Sequence, residues 1–161
     1  MSKIKLLILL LINFIVISCL KIQKENELKF SLDYIGGGYD GLMLSQQLQK
    51  HLNNFNMLNQ NSKMQIQGII SHSNNLFITN IDNTSDREKI TSSIELKIFD
   101  KEVDCYKYLY SNKVSQFYVL ASSDKFMSNK SAVEKIKVEN IDYFVRDFIN
   151  NLNSDNMVCN E

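Results

Sequence analysis

The side chains able to cleave, reduce or coordinate are few in this sequence, and their spacing keeps them apart. His51 and His72 are the two histidines. His51 lies near the apolar face of a helical pattern and His72 beside an Asn/Ser loop. Neither has a second His or Cys at ligand spacing, so no metal site is expected. Serines are plentiful, yet no G-x-S-x-G elbow or S-x-x-K motif raises one to a nucleophile. The one phosphate-binding pattern is "GGGYDG" at 36–41, which satisfies G-x-G-x-x-G between a strand and a helix. No acidic residue occurs between Asp40 and Asp82, so the ribose partner expected ~20 residues beyond the glycines is missing. A flexible strand-to-helix loop is the simpler reading. Tyr106, Tyr108 and Tyr110 could stack on a planar ligand. At period two in a strand they are expected instead as one inward or edge-covering row. The carboxylates read as solvated surface. The expectation is a chain with no catalytic residue, no cofactor and no metal, in which the three cysteines, Cys19, Cys105 and Cys159, are left to explain.

The elements that carry these side chains can be read from periodicity. The chain has 161 residues, 44% hydrophobic and 22% charged, enough for one domain with extras. Its formal charge of zero gives no argument for capturing nucleic acid. Leu28, Phe30, Leu32 and Tyr34 alternate with polar residues as a half-buried strand. Asp40 is placed to cap a helix in which Leu44, Leu48, Leu52 and Phe55 recur at helical spacing. A second strand, whole or broken, follows through Met64, Ile66, Ile70 and on to Leu76, Phe77 and Ile78. The cleanest alternation is Ile90, Ser92, Ile94, Leu96 and Ile98, with every even position facing inward. "DKE" at 100–102 turns the chain into the tyrosine strand, continued or bulged through Phe117, Val119 and Ala121. Ser131 and Glu134 read as a capping box. Beyond them Val133, Ile136, Ile141, Phe144, Val145, Phe148 and Leu152 form one apolar stripe. The order β-α-β-β-β-α predicts an α+β two-layer sandwich, with two helices on one face of a four-stranded mixed sheet whose first pair is parallel.

The N-terminus has a separate plan. Lys3 and Lys5 precede an apolar stretch to residue 17, shorter than the ~20 residues a spanning helix needs and suited to the h-region of a secretory signal. A signal anchor with an incidental cysteine is the plain alternative. Val16, Ile17 and Ser18 before Cys19 resemble the lipobox of bacterial lipoproteins. That resemblance implies cleavage after Ser18, a diacylglycerol on the Cys19 sulfur, acylation of the new amine, and a lasting membrane anchor. Leu20 stands where retained inner-membrane lipoproteins usually carry Asp, which by resemblance implies the outer membrane. Removing residues 1–18 takes Lys3 and Lys5 from 18 basic side chains and nothing from 18 acidic ones, so the mature chain is mildly acidic. Cys105 and Cys159 would then sit where disulfides persist. Spacing alone does not establish a bridge, and two free thiols are the default expectation. The expected organisation is a signal at 1–18, lipidated Cys19 and tether at 19–26, a domain at 27–153 and a polar tail at 154–161.

A lipobox, then "ELKFSLDYIGGGYDGLMLSQQLQKHLNNF", then "SDREKITSSIELKIFDKEVDCYKY" and a long C-terminal helix are together similar to the LPS-assembly lipoprotein family (LptE). The first segment is similar to that family's strand, turn and Leu-spaced helix. The second matches its Arg, alternating strand and "Leu-x-Asp" turn through Arg87, residues 90–98 and Asp100, although "LKIFD" departs from the turn. The resemblance implies a non-enzymatic lipoprotein in the inner leaflet of the outer membrane. It would plug and help assemble an LptD-like β-barrel that delivers lipopolysaccharide. Basic residues would meet lipid phosphates, and the candidates are Arg87 and Lys89 at a strand start and Lys113 in the loop after the tyrosines; each is otherwise a solvated surface charge. Two rivals remain: an auxiliary lipoprotein of an ABC-type lipid transporter, and a structural envelope lipoprotein with no defined client. The strand "Y-x-L" usual after the cysteine of the first rival is not clear in "LKIQKENELKF".

Overall fold

The computed structural model describes residues 28–78, 86–120 and 126–152, together with Met157 and Cys159. The expected signal and tether, Cys19 included, lie outside the described residues, as does Ala121. The elements run β1 (Ser31–Gly36), α1 (Gly38–Asn54), β2 (Met64–Ile78), β3 (Asp86–Asp100), β4 (Cys105–Val119) and α2 (Phe126–Leu152). The strands lie in the order β1-β2-β3-β4. β1 is parallel to β2 and the other two pairs are antiparallel, so the sheet is mixed and the fold α+β, as the periodicity predicts.

β3 sits in the middle of the long strands, and its alternation sets the layers. Ile90, Ser92, Ile94, Leu96 and Ile98 are all buried. Leu44, Leu48 and Leu52 of α1 and Ile141, Phe144, Val145 and Phe148 of α2 join Ile66, Ile70, Ile94, Leu96 and Ile98 in one core cluster. Both helices therefore cover the same face. The odd positions of β3 lie on the opposite, open face, where Glu95 and Lys97 are exposed.

Several local expectations are corrected. Asp40 does not cap α1: Gly37 precedes the helix, with φ 117° and no side-chain cap, and Asp40 lies in the first turn. A Cβ on Gly37 would stand 2.6 Å from the Ile70 carbonyl oxygen, and one on Gly41 2.6 Å from that of Gly36. Gly37 thus lets the β1–α1 turn press against β2 and Gly41 lets α1 close on the end of β1, a geometric role that needs no phosphate. Phe55 falls just past α1 and is 52% exposed, while Met57 enters the core in its place. Asn56 makes this exchange with φ 53°, after which the Met57 N–H donates to the Leu52 carbonyl at 2.7 Å. Ser131 and Glu134 lie inside α2, which begins at Phe126. Gly68 is the last glycine and the chain has no proline, so nothing before Ser131 halts the helix.

β2 and β4 each run fifteen residues without a break. Lys113, expected in a loop, is therefore mid-strand and pairs with Ser93 of β3. The tyrosine row is broken near its start. Ile98 pairs with Tyr108 but Phe99 with Tyr106, which makes Lys107 the extra residue of a bulge. Tyr110 is buried and Tyr108 half-buried, both against the Phe148 ring at centroid distances of 5.5 and 6.1 Å. Tyr106 is turned to the open face, 5.2 Å from Phe99. The default of two free thiols is also overturned. Cys105 and Cys159 form a disulfide with a Cα–Cα distance of 5.8 Å. Met157 packs against the core, which returns the chain from α2 to the start of β4 and brings the two cysteines together.

Candidate functional site

The three cations expected to meet lipid are brought onto one surface by strand register. Directly paired residues share a face, so Ser93 with Lys113, Thr91 with Ser115, Lys89 with Phe117 and Arg87 with Val119 form successive rungs on the open side of β3 and β4. Ser93 to Arg87 is six residues, about 20 Å at 3.3–3.4 Å per residue. Arg87 and Lys113 are exposed and Lys89 is partly covered, its Nζ 5.7 Å above the Phe117 ring. Phe117 and Val119 are 57% and 62% exposed. Hydroxyl pairs fill the space between: Ser71 with Ser93 at 2.8 Å and Thr91 with Ser115 at 2.9 Å. Among the described side chains this half of the open face carries three cations and no carboxylate. Glu88 is at an inward position and bonds the Tyr118 hydroxyl.

The other half of that face differs. A shallow groove there is lined by Tyr34, Gln67, Ile69, Glu95, Lys97 and Tyr106. Asp33 accepts from Gln67 Nε2 at 2.8 Å, and Lys97 Nζ stands 5.7 Å over the Tyr106 ring. The open face is therefore polarised along the strands, mixed in charge near β1 and cationic toward the Arg87 end.

Behind the cationic half, on the covered face, lies a polar cluster that the sequence reading missed. His72, expected beside a loop, is in mid-β2 with its side chain 3% exposed. Its Nδ1 is 2.7 Å from Ser92 Oγ. Ser92 accepts from Asn140 Nδ2 at 2.7 Å, and Asn140 Oδ1 accepts from Gln116 Nε2 at 2.5 Å. Asp40 Oδ2 lies 3.8 Å from His72 Nε2 and 3.7 Å from Lys137 Nζ. The signal was available in the sequence: Ser92 interrupts the inward apolar row of β3, and Asn140 sits beside the apolar stripe of α2. A Ser, a His and an Asp in reach of one another suggest nucleophilic hydrolysis. The arrangement does not support it, because Ser92 is fully buried and already accepts from Asn140. His51, the other histidine, stands 3.4 Å from Asp142 on α2.

Two further polar contacts fix β4. Asp100 is buried, and Lys107, the bulge residue, reaches its carboxylate at 2.9 Å. The Glu102 N–H donates to Asp100 Oδ1 at 2.9 Å. Lys107 first, then that backbone donor, hold the Asp100 carboxyl below its ordinary value. The Tyr110 hydroxyl donates to Asp147 on α2 at 2.7 Å, beside Asn112 Nδ2 at 3.0 Å. Burial first, then the Asp147 carboxylate, push that phenol well above its usual range. Among the described residues no three His, Cys, Asp or Glu side chains converge as a metal site, and no helix is long and apolar enough to cross a membrane.

The architecture of two helices over one face of a mixed four-stranded sheet is shared with solved structures of bacterial lipoproteins. Rare lipoprotein B from Shewanella oneidensis superposes with a TM-score of 0.57 at 9% identity, over 78% of this chain and 97% of that one. A minor lipoprotein from Acinetobacter baumannii gives 0.55 at 15% identity, over 74% of this chain and 86% of that one. A protein of Caulobacter crescentus assigned as a lipoprotein gives 0.51 at 16% identity, over 74% and 83%. At these identities the likeness establishes the fold. No family model matches the sequence, and no curated protein matches it.

Proposed function

We propose that this chain is a lipid-anchored outer-membrane lipoprotein. In this reading it plugs and helps assemble a β-barrel translocon and assists the insertion of lipopolysaccharide or another anionic lipid. Three things support the reading: the lipobox-like residues ending in Cys19, the fold shared with three bacterial lipoproteins, and the open sheet face. The face is the observation that carries it. A sheet with one side covered by helices offers the other to a partner. Here that side carries hydroxyl pairs and three cations toward its Arg87 end, beside exposed apolar and mixed-charge side chains, and its polar part suits the polar lumen of a barrel. Arg87, Lys89 and Lys113 would pair with phosphate oxygens by charge-assisted hydrogen bonds, while exposed Phe117 and Val119 supply apolar contact beside them.

Affinity isolation of the full lipoprotein from native membranes tests this reading. The expected result is a one-to-one complex with one large outer-membrane barrel, and less assembled barrel after depletion of the lipoprotein. Recovery of an inner-membrane ABC transporter with no barrel would favour the auxiliary-transporter reading and overturn the plug.

A further inference from the structure

We propose that the outer edge of β4 is an interface for a second copy of this chain, in which two β4 strands pair antiparallel about Val114 and join two four-stranded sheets into one. The sheet order β1-β2-β3-β4 puts one strand at each edge. β1 is blunted against pairing, because it is six residues long and its register with β2 shifts between Leu32 and Ile35. β4 is not blunted in this way. Beyond the bulge at Lys107 it runs in regular register from Tyr108 to Val119 without a proline, and among the described residues no strand lies beyond it. Lys113 shows which backbone groups are left over. Its N–H donates to Oδ1 of the preceding Asn112 at 2.7 Å, so it is turned away from β3. Strand alternation gives the same outward direction to the N–H and C=O groups of the other odd-numbered residues from 109 to 119. At Lys113 a side chain stands in for the missing neighbour.

The strand complements itself. A second β4 overlaps the whole regular stretch when Leu109 of one copy faces Val119 of the other. The open-face rungs are then Leu109 with Val119, Ser111 with Phe117 and Lys113 with Ser115. On the helix side Tyr110 meets Tyr118, Asn112 meets Gln116, and Val114 meets its own counterpart on the two-fold axis. Apolar side chains thus face each other at both ends of the seam, amides face amides, and each lysine faces a hydroxyl. Sliding the second strand either way loses rungs, and sliding it two residues in one direction sets Lys113 against Lys113, which opposes pairing. The ladder supplies about ten backbone hydrogen bonds, the number usual for a specific interface. Exposed apolar side chains rim the seam on both faces. Leu109, Phe117 and Val119 are each more than half exposed on the open side, and Tyr143 of α2, near Tyr110, is nearly half exposed on the other. The pairing concerns the lipoprotein outside a barrel complex and does not rest on the barrel reading, since a one-to-one complex would require the two copies to part.

Sedimentation of the full lipoprotein in density-matched detergent tests the interface, and a reversible dimer is expected within about a hundredfold range of concentration. Over that range hydrogen exchange reads the seam directly. Amides of residues 111, 115, 117 and 119 should gain about tenfold or more protection as the dimer forms, while those of 112, 114, 116 and 118, already paired with β3, stay slow. Ser115→Pro removes an outward N–H and leaves the β3 ladder whole, so this variant should fold and remain a monomer. Should it fail to fold, Val114→Cys decides. Directly opposed residues of a non-hydrogen-bonded pair have Cα atoms about 4.5 Å apart, within reach of a disulfide. Mild oxidation should therefore link two copies of Val114→Cys, and should link far less of Leu42→Cys, which is exposed on α1 away from the seam. A monomer at every concentration, equal protection gained by both sets of amides, an unchanged dimer in folded Ser115→Pro, or linkage in Val114→Cys no greater than in Leu42→Cys would overturn the proposal.

Discussion

At the scale of single residues, burial separates neighbours on one strand. Ile94 and Lys97 are three positions apart on β3, yet Ile94 is 1% exposed and packs among both helices while Lys97 lies on the open face. Ile94→Ala should cost about 2–5 kcal/mol through lost transfer energy and the cavity left behind. Lys97→Ala should cost about 0.5 kcal/mol or less, since an exposed side chain with one ring contact has little to lose. Urea unfolding measures both, and equal losses would contradict the register. This register was legible because β3 alternates without interruption. The bulge at Lys107 was not, because it depends on a carboxylate seven residues away. Asp100 is held below the ordinary carboxylate value of 3.8, mainly by Lys107. Its stabilising contribution is therefore complete above that value and is lost as pH falls through the lower folded-state value, where the unfolded chain binds more protons. Lys107→Met should cost about 1–3 kcal/mol at neutral pH by leaving the buried carboxylate short of a partner. It should also raise the Asp100 pKa, so that the variant loses less further stability in acid than the unmutated protein. Parallel stability–pH curves for the two proteins would remove Lys107 as the cause.

At the scale of elements, the sequence shows where apolar spacing is dense and falls silent where pairing decides. α1 could be read from Leu44, Leu48 and Leu52, and the body of α2 from Phe144 to Leu152, because buried positions there recur at helical spacing. The stretch "SHSNN" at 71–75 carries little strand propensity, so β2 read as a strand with an optional break. It is continuous because each of its residues pairs with β3, from Ser71 with Ser93 to Asn75 with Lys89. Tertiary pairing overrides local preference here. The same holds for Lys113, whose polar neighbours Ser111 and Asn112 suggested a loop. The disulfide was equally hidden, since it needs the return of the tail past Met157 and not a spacing rule. It links residues 54 apart, so Cys159→Ser should lower stability by about 2–4 kcal/mol, chiefly by freeing the unfolded chain. Non-reducing mass spectrometry should show the bridge in the unmutated protein. An unchanged unfolding midpoint in Cys159→Ser would mean that the bridge adds no constraint.

At the scale of the whole molecule, the proposed function requires the anchor and the face to work together. Cys19→Ser should leave uncleaved precursor and remove the protein from the outer-membrane fraction, and normal processing of that variant would end the lipoprotein reading. The face makes a sharper demand. Arg87, Lys89 and Lys113 lie on one side of two paired strands, the side opposite the helices and the core cluster. Replacing all three by Glu exchanges three positive charges for three negative ones on an outward surface. Because surface substitutions of this kind each stay within about 0.5 kcal/mol, folding should survive. Anionic-lipid binding should not, since like charge opposes approach and the phosphate-pairing groups are gone. The loss should shrink with rising salt for any contact made through solvent, because a Debye length of about 8 Å at physiological ionic strength already screens exposed charges. Vesicles with and without anionic lipid, titrated with the full lipoprotein, give the measurement. Unaltered binding by the folded triple variant would take the lipid contact off this face. Intact barrel association in the same variant would show that the remainder of the open face suffices for the plug.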